Sequence, residues 1–283
     1  MAGIIEGIKK IYSGDDVMKK HFTFLVIIFF FTICSNSFGI AKDGTYAYIN
    51  GADICFYSTR LSCAQSFAFG NYLKQQTEFD CGPYAGANAV LRLGINEDPQ
   101  KVVFELSEKF KCSKRGVTSA NLCGGLDEYL KSKGYHSNVQ YCGYRPVCKK
   151  YKFAEKPELS WIKKEMENNK QVILNIGVYK KELKNGKTIY KRQYGHYVNA
   201  AGFGFATEGL TISDPYDKNS DTLNIILNRI NEGKFVHNKG DDETALTDDA
   251  NGFYEISPKF SYFKKNEVAV LNGAVSVAIN RYD

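Results

Sequence analysis

The hydrophobic period of this chain changes near residue 170, and that change decides its class. Between Cys81 and about Glu167 apolar side chains recur at helical spacing, whereas from Gln171 onward they mostly alternate. A period of 3.6 packs as one face of a helix, and a period of 2 as one face of a strand. Helices first and an antiparallel sheet afterwards give an α+β class, not a doubly wound parallel sheet. Helices are predicted over 81–93, 99–110, 119–133 and 158–168, with one more at 222–231. Strands are predicted at 44–49, 171–179, 188–193, 196–205, 210–213, 252–256 and 267–279, with Asn185-Gly186 as a hairpin turn. Asp80 is placed to cap the first helix, and Pro83 falls in its first turn, where a missing N–H is harmless.

Length and composition set the outer bounds. At 283 residues, with 43% hydrophobic and 24% charged residues and 6 prolines, the chain is an ordinary globular protein of one large or two small domains. Disorder, collagen and coiled coil are excluded. The net charge of +6 is spread thinly, so it argues for neither a nucleic acid nor an anionic wall as partner.

Residues 1–39 read as a signal peptide or membrane anchor and residues 40–283 as the folded domain. No residue between Lys20 and Lys42 is charged, and Phe22 to Cys34 is an apolar run of 13 residues. A membrane-spanning helix needs about 20 apolar residues, a signal core only about 7 to 15. The run follows Lys19, Lys20 and His21 and precedes Ser35-Asn36-Ser37, the layout of an export signal. An uncleaved anchor and a buried core helix are the alternatives. Met18 begins a well-formed signal start, so the 17 residues before it read as a spurious extension, or as a short helix lined by Ile4, Ile8 and Ile11. The expected location is extracytoplasmic: secreted, periplasmic or anchored facing outward. The 8 cysteines suit such a compartment. With Cys34 removed and Cys81 free, the most local pairing joins Cys55–Cys63, Cys112–Cys123 and Cys142–Cys148.

The chemistry-bearing residues are Gln75, Cys81, His196 and Asp214. A thiol attacks a carbonyl as its thiolate, and a helix N-terminus together with an imidazolium lowers its pKa from about 8.5. Cys81 opens a predicted helix, and His196 opens an apolar strand after Gly195. The following hairpin brings Asp214 near His196, where a carboxylate holds the imidazole in one tautomer. Gln75 can donate its side-chain amide to an oxyanion beside the Cys81 N–H. Taken singly each has a plainer account: half of a disulfide, a sheet histidine, a strand end, an ordinary glutamine. Their order along the chain singles them out. Asp217, Asn219 and Asp221 open like a calcium loop, but Thr222 stands where glycine is required and Asn228 where the bidentate glutamate belongs. No CxxC pair suggests zinc, and no cofactor is expected.

The motif QxxxxDCGP from Gln75 to Pro83, GHYV from Gly195 to Val198 and a strand ending in Asp214-Pro215 together resemble the papain-like bacteriocin-processing cysteine peptidases. More broadly they resemble the peptidase C-thirty-nine-like domains, over about residues 70–216. The resemblance implies Cys81 as nucleophile, His196 as general base, Asp214 as orienting residue and Gln75 as oxyanion-hole donor. It implies a papain-like cysteine peptidase fold, with N-terminal helices packed on an antiparallel β-sheet. The Cys81-to-His196 interval is long for compact members. The GxxxxGK[ST] phosphate loop of transporter-borne members is absent, so cleavage of a double-glycine leader does not carry over. The implied function is an exported cysteine peptidase or amidase acting on a peptide, protein or cell-wall peptide. No nucleic-acid partner is expected, and a membrane only through the N-terminal anchor. A thiol acyl transferase of the phytochelatin-synthase type, which Ala89 to Pro99 faintly resembles, and a catalytically silent binding module are the alternatives.

Overall fold

The computed structural model describes residues 72–203, 208–217, 222–237 and 248–281, and before residue 72 only the backbone of three strands. These are β1 (Gly39–Ile40), β2 (Thr45–Asn50) and β3 (Asp53–Ser58), a small antiparallel sheet in the order β1-β2-β3. They belong to a first compact unit ending at Leu61; a second runs from Ser62. The apolar run Phe22–Cys34, Cys63, Asn219 and Asp221 lie outside the described residues. No helix among the described residues is long and apolar enough to cross a membrane.

The second unit holds α1 (Cys81–Arg92), α2 (Pro99–Lys109), α3 (Ser119–Ser132) and α4 (Leu159–Glu167). Every residue of α1 from Cys81 to Val90 is buried, so this helix is central. Two glycines let its neighbours close in. A Cβ on Gly86 would meet the Phe110 ring at 2.8 Å, and one on Gly125 of α3 would clash with that ring and meet the Lys109 backbone at 2.9 Å. Asp98 accepts from the Lys101 N–H at 2.8 Å and Thr118 from the Asn121 N–H at 3.1 Å, so α2 and α3 begin on true caps. Asp80, expected to cap α1, makes no side-chain cap bond.

The main sheet comprises β4 (Tyr135–Gly143), β5 (Lys152–Ala154), β6 (Gln171–Lys184), β7 (Lys187–Phe203), β8 (Gly209–Ser213), β9 (Leu223–Arg229), β10 (Lys234–Val236), β11 (Tyr254–Ser257) and β12 (Glu267–Arg281). Asn185 and Gly186 join β6 to β7 with φ of 51° and 73°, the paired positive values of a tight hairpin turn. β7 pairs with β8, β8 with β9, β9 with β11, β11 with β12 and β12 with β6, every step antiparallel. These six strands close into a barrel. The expected papain-like α+β fold, with helices laid on an antiparallel sheet, is therefore corrected: the structure is mostly strand, and its sheet shuts on itself.

The missing stave is β9. Residues 222–231 were expected to be helical, yet Leu223, Ile225 and Leu227 alternate with Asn224, Ile226 and Asn228, and Ile225 and Leu227 are buried. Period 2 prevails because β9 bridges β8 and β11; without it the ring stays open. Leu174, Ile176, Val178, Val198, Leu210, Ile212, Ile225, Leu227, Ile256 and Leu271 share one buried cluster, as in small barrels filled by their own side chains. β12 joins this ring to the rest. Its residues Ala269–Leu271 pair with β11, and after an irregularity at Asn272 the stretch Gly273–Arg281 pairs with β4. Against β4 packs α3, and against β6 and β7 packs α1.

The expected Cys112–Cys123 and Cys142–Cys148 disulfides are also corrected, while Cys63 of the third pair lies outside the described residues. Cys81, Cys112, Cys123, Cys142 and Cys148 are free thiols. Cys123 and Cys142 face different buried clusters, Cys112 donates to the Phe79 carbonyl at 3.6 Å, and Cys142 to the Lys156 carbonyl at 3.0 Å. Closeness in sequence does not bring these pairs together: Cys112 and Cys142 are each hydrogen-bonded elsewhere, and Cys148 is exposed.

Gly125→Ala is expected to lower stability by about 1 to 3 kcal/mol through overpacking, since the Lys109 backbone cannot step aside. A reduced denaturant midpoint with an unchanged slope is the checking measurement.

Candidate active site

The chain places Cys81 as the first residue of α1, where unpaired N–H groups leave partial positive charge. Two asparagines fix that helix against its surroundings. Asn199 of β7 donates its Nδ2 to the Ala85 carbonyl at 2.9 Å, in a fully buried bond. Asn88 accepts from the Leu73 N–H at 2.7 Å and donates to the Leu73 carbonyl at 3.2 Å, which anchors the segment carrying Gln75. The Gln75 N–H in turn donates to the Pro215 carbonyl at 2.9 Å, so Gln75 and the turn after β8 are tied together.

His196 sits on β7 between two irregularities. Val178 and Tyr179 face Tyr194 and Arg192, which leaves Gln193 as an extra residue. Ile212 and Thr211 face Ala200 and Gly202, which leaves Ala201 as another. Such bulges re-aim side chains beside functional sites. His196 Nε2 meets Asp214 Oδ1 at 2.7 Å, and both side chains are buried. Oδ1 also accepts from the Tyr216 N–H at 2.8 Å, and the Tyr262 hydroxyl donates to Oδ2. With Nε2 held by Asp214, Nδ1 is the nitrogen left to exchange protons, and Cys81 lies near enough to favour the charged imidazole.

The electrostatics favour a charged ring. Burial alone would lower the His196 pKa, but the Asp214 charge and hydrogen bond, helped by Cys81, outweigh it and raise the value from 6.5 to about 10. Burial pushes Asp214 upward, yet the imidazolium, Tyr262 and the Tyr216 N–H together hold it below its ordinary 3.8. Burial and then the Asp214 charge drive Tyr262 well above the ordinary tyrosine range, so its hydroxyl stays a donor. The Tyr216 and Tyr262 rings stand edge-on to the imidazole with centroids 6.5 and 6.1 Å away, covering the pair.

A cleft of about 870 Å³ runs past Cys81 and His196, with Gln75, Tyr216 and Tyr262 in its walls. Asp214 stands behind His196, outside the lining. Gln75 is buried, its Nε2 donates to the Thr77 carbonyl at 2.7 Å, and its Oε1 has no partner. A primary amide carries two N–H groups, so one remains after that bond. Phe79, Tyr194 and Tyr216 present exposed rings along the cleft. All four residues singled out in the sequence thus meet around one site. Sequence reasoning missed Tyr262, Asn88 and Asn199. Tyr262 lies in the aromatic run Phe260–Phe263, which carries no chemical spacing, and the asparagines act only through backbone groups.

The His196–Asp214 pair predicts a pH window. The histidine pKa is raised, so its stabilising contribution is full below about 6.5 and lost as pH climbs through about 10. The Asp214 pKa is lowered, so its contribution is present above about 3.8 and lost as pH falls through its folded value. The stability gap between the native chain and Asp214→Asn is therefore expected to be widest between about pH 4 and 6.5, and to narrow toward pH 10. Unfolding titrations of both at several pH values measure it; a gap independent of pH contradicts the ion pair.

No protein-family model and no curated protein matches the chain. Among solved structures it is similar to the peptidase domain of Streptococcus ComA, a bi-functional ABC transporter involved in a quorum-sensing pathway. Identity there is 12%, over 75% of this chain and 100% of that one, with a TM-score of 0.32. It is similar also to a double glycine motif protease from an AMS/PCAT transporter, solved with the leader peptide: identity 12%, 75% of this chain, 91% of that one, TM-score 0.30. Overlap this low decides nothing about chemistry, and the functional reading rests on the site itself.

Proposed function

We propose that the protein is a thiol hydrolase that cleaves peptide or amide bonds through a covalent intermediate on Cys81. One observation carries this reading: Cys81, at a helix start, faces a buried imidazole whose other nitrogen is held by a carboxylate. A thiolate beside an imidazolium is the resting form such a pair favours. The thiolate attacks the substrate carbonyl carbon, and the π pair moves to oxygen. That oxyanion is met by the Cys81 N–H and the Gln75 amide. His196 gives its Nδ1 proton to the departing amine as the C–N bond breaks. Neutral His196 then takes a proton from water, whose oxygen attacks the thioester; the C–S bond breaks, and thiolate and imidazolium return. Asp214 keeps Nε2 occupied throughout, so Nδ1 is the nitrogen that exchanges protons.

The cleft suits an extended chain. The exposed rings of Phe79, Tyr194 and Tyr216 line it and offer apolar contacts to successive side chains. The apolar run Phe22–Cys34 supports an extracytoplasmic place of action, whereas the free thiols lend it nothing.

A peptidyl chloromethyl ketone is expected to label Cys81, as mapped by mass spectrometry. Cys81→Ala is expected to abolish turnover with the fold intact, and His196→Ala to be nearly as severe. Gln75→Ala is expected to lower kcat by about a hundred- to a thousandfold while iodoacetamide still alkylates Cys81 at a similar rate. Turnover surviving in Cys81→Ala would sink the assignment. A transferred acyl group in place of a free acid would identify a transferase, and labelling without turnover a silent module.

A further inference from the structure

We infer that the cleft is built for a substrate carrying acidic side chains close to the bond cleaved. This rests on the hydrolase reading above and adds the class of substrate. Among the described residues the lining includes Lys111, Lys114, Arg115, Arg192 and Lys264, against Glu78 as its one acid. Lys111, Lys114 and Arg115 come from the loop between α2 and α3, and Lys264 from the segment leading into β12. The first loop borders the helix that carries Cys81, for Val117 lies against Gly82. The second borders His196, for Tyr262 stands beside its ring. Cationic groups therefore reach the cleft from both sides of the Cys81–His196 pair.

The three lysines carry the inference. Arg115 and Arg192 have other partners, but Lys111, Lys114 and Lys264 are exposed and make no ion pair among the described residues. Apart from Glu78, the acids that lie nearby are engaged or set back. Glu267 is buried and accepts from the Lys264 N–H at 2.9 Å and the Tyr194 hydroxyl at 3.4 Å, and Asp80 is outside the lining. A cleft lined by one sign of charge between low-dielectric walls concentrates its counter-charge by about tenfold to a thousandfold. The apolar rings and the lysines together describe an acidic peptide with apolar side chains interleaved.

The test uses two chloromethyl ketones of one apolar peptide sequence, differing only in Asp against Asn at the residues flanking the reactive end. The Asp peptide is expected to label Cys81 of the full chain at least about tenfold faster at low ionic strength, and the advantage to shrink as salt is raised. In the double variant Lys114→Glu, Lys264→Glu the advantage is expected to vanish or invert, with Lys114→Gln, Lys264→Gln intermediate. Equal labelling by the two peptides, or an advantage untouched by charge reversal, overturns the inference and leaves Cys81 as nucleophile. Failure of both peptides and of iodoacetamide to modify Cys81 overturns the hydrolase reading first, and this one with it.

Discussion

Closure of the six-stranded ring is the constraint on which the rest of the structure depends. An open antiparallel sheet leaves two edges of unpaired N–H and C=O groups, whereas a barrel has none. Once β9 links β8 to β11, every barrel strand has a partner on each side. The ring then fixes β7 and β8 as neighbours, and with them His196 and Asp214. It also offers an outer face on β6 and β7 against which α1 packs. The Asn199 bond to the Ala85 carbonyl sets how far along that face the helix start, and therefore Cys81, comes to rest.

Burying a charged pair is costly unless its remaining lone pairs are satisfied, and leaving one partner alone costs about 3 to 5 kcal/mol. Asp214 meets that demand with three donors: the imidazole, the Tyr216 N–H and the Tyr262 hydroxyl. Its carboxylate is thus fixed at both oxygens. The two tyrosine rings add a low-dielectric cover, which strengthens the attraction that keeps the imidazole charged.

Local signals in the sequence carried the four described helices and six of the twelve described strands, β2, β6, β7, β8, β11 and β12. The Asn185-Gly186 turn acts within a few residues, and the structure realises it; the Asp98 and Thr118 caps are equally local. The start of α1 at Cys81 and the adjacency of β7 and β8 were legible for the same reason. Whatever depends on long-range pairing was not. The stretch Leu223–Arg229 carries leucine and isoleucine at spacings that fit either period, and only its place between β8 and β11 decides the matter. Tyr262 reaches Asp214 from a segment that enters the site solely because β12 returns beside β6. The free thiols show the converse error, since neighbours in sequence were taken for neighbours in space.

The double pairing of β12 has a consequence for the order in which the molecule assembles. This strand is made after every other stave, yet it pairs with β6 and β4, which lie far back along the chain. Non-local pairing of that kind makes folding slow, because the loop must close before its contacts repay the lost entropy. The helix bearing Cys81 is synthesised long before Glu267 leaves the ribosome. During that interval the thiol has a helix but no finished barrel to hold an imidazolium beside it. The barrel behind Cys81 and His196 is therefore finished only when the last stave is laid.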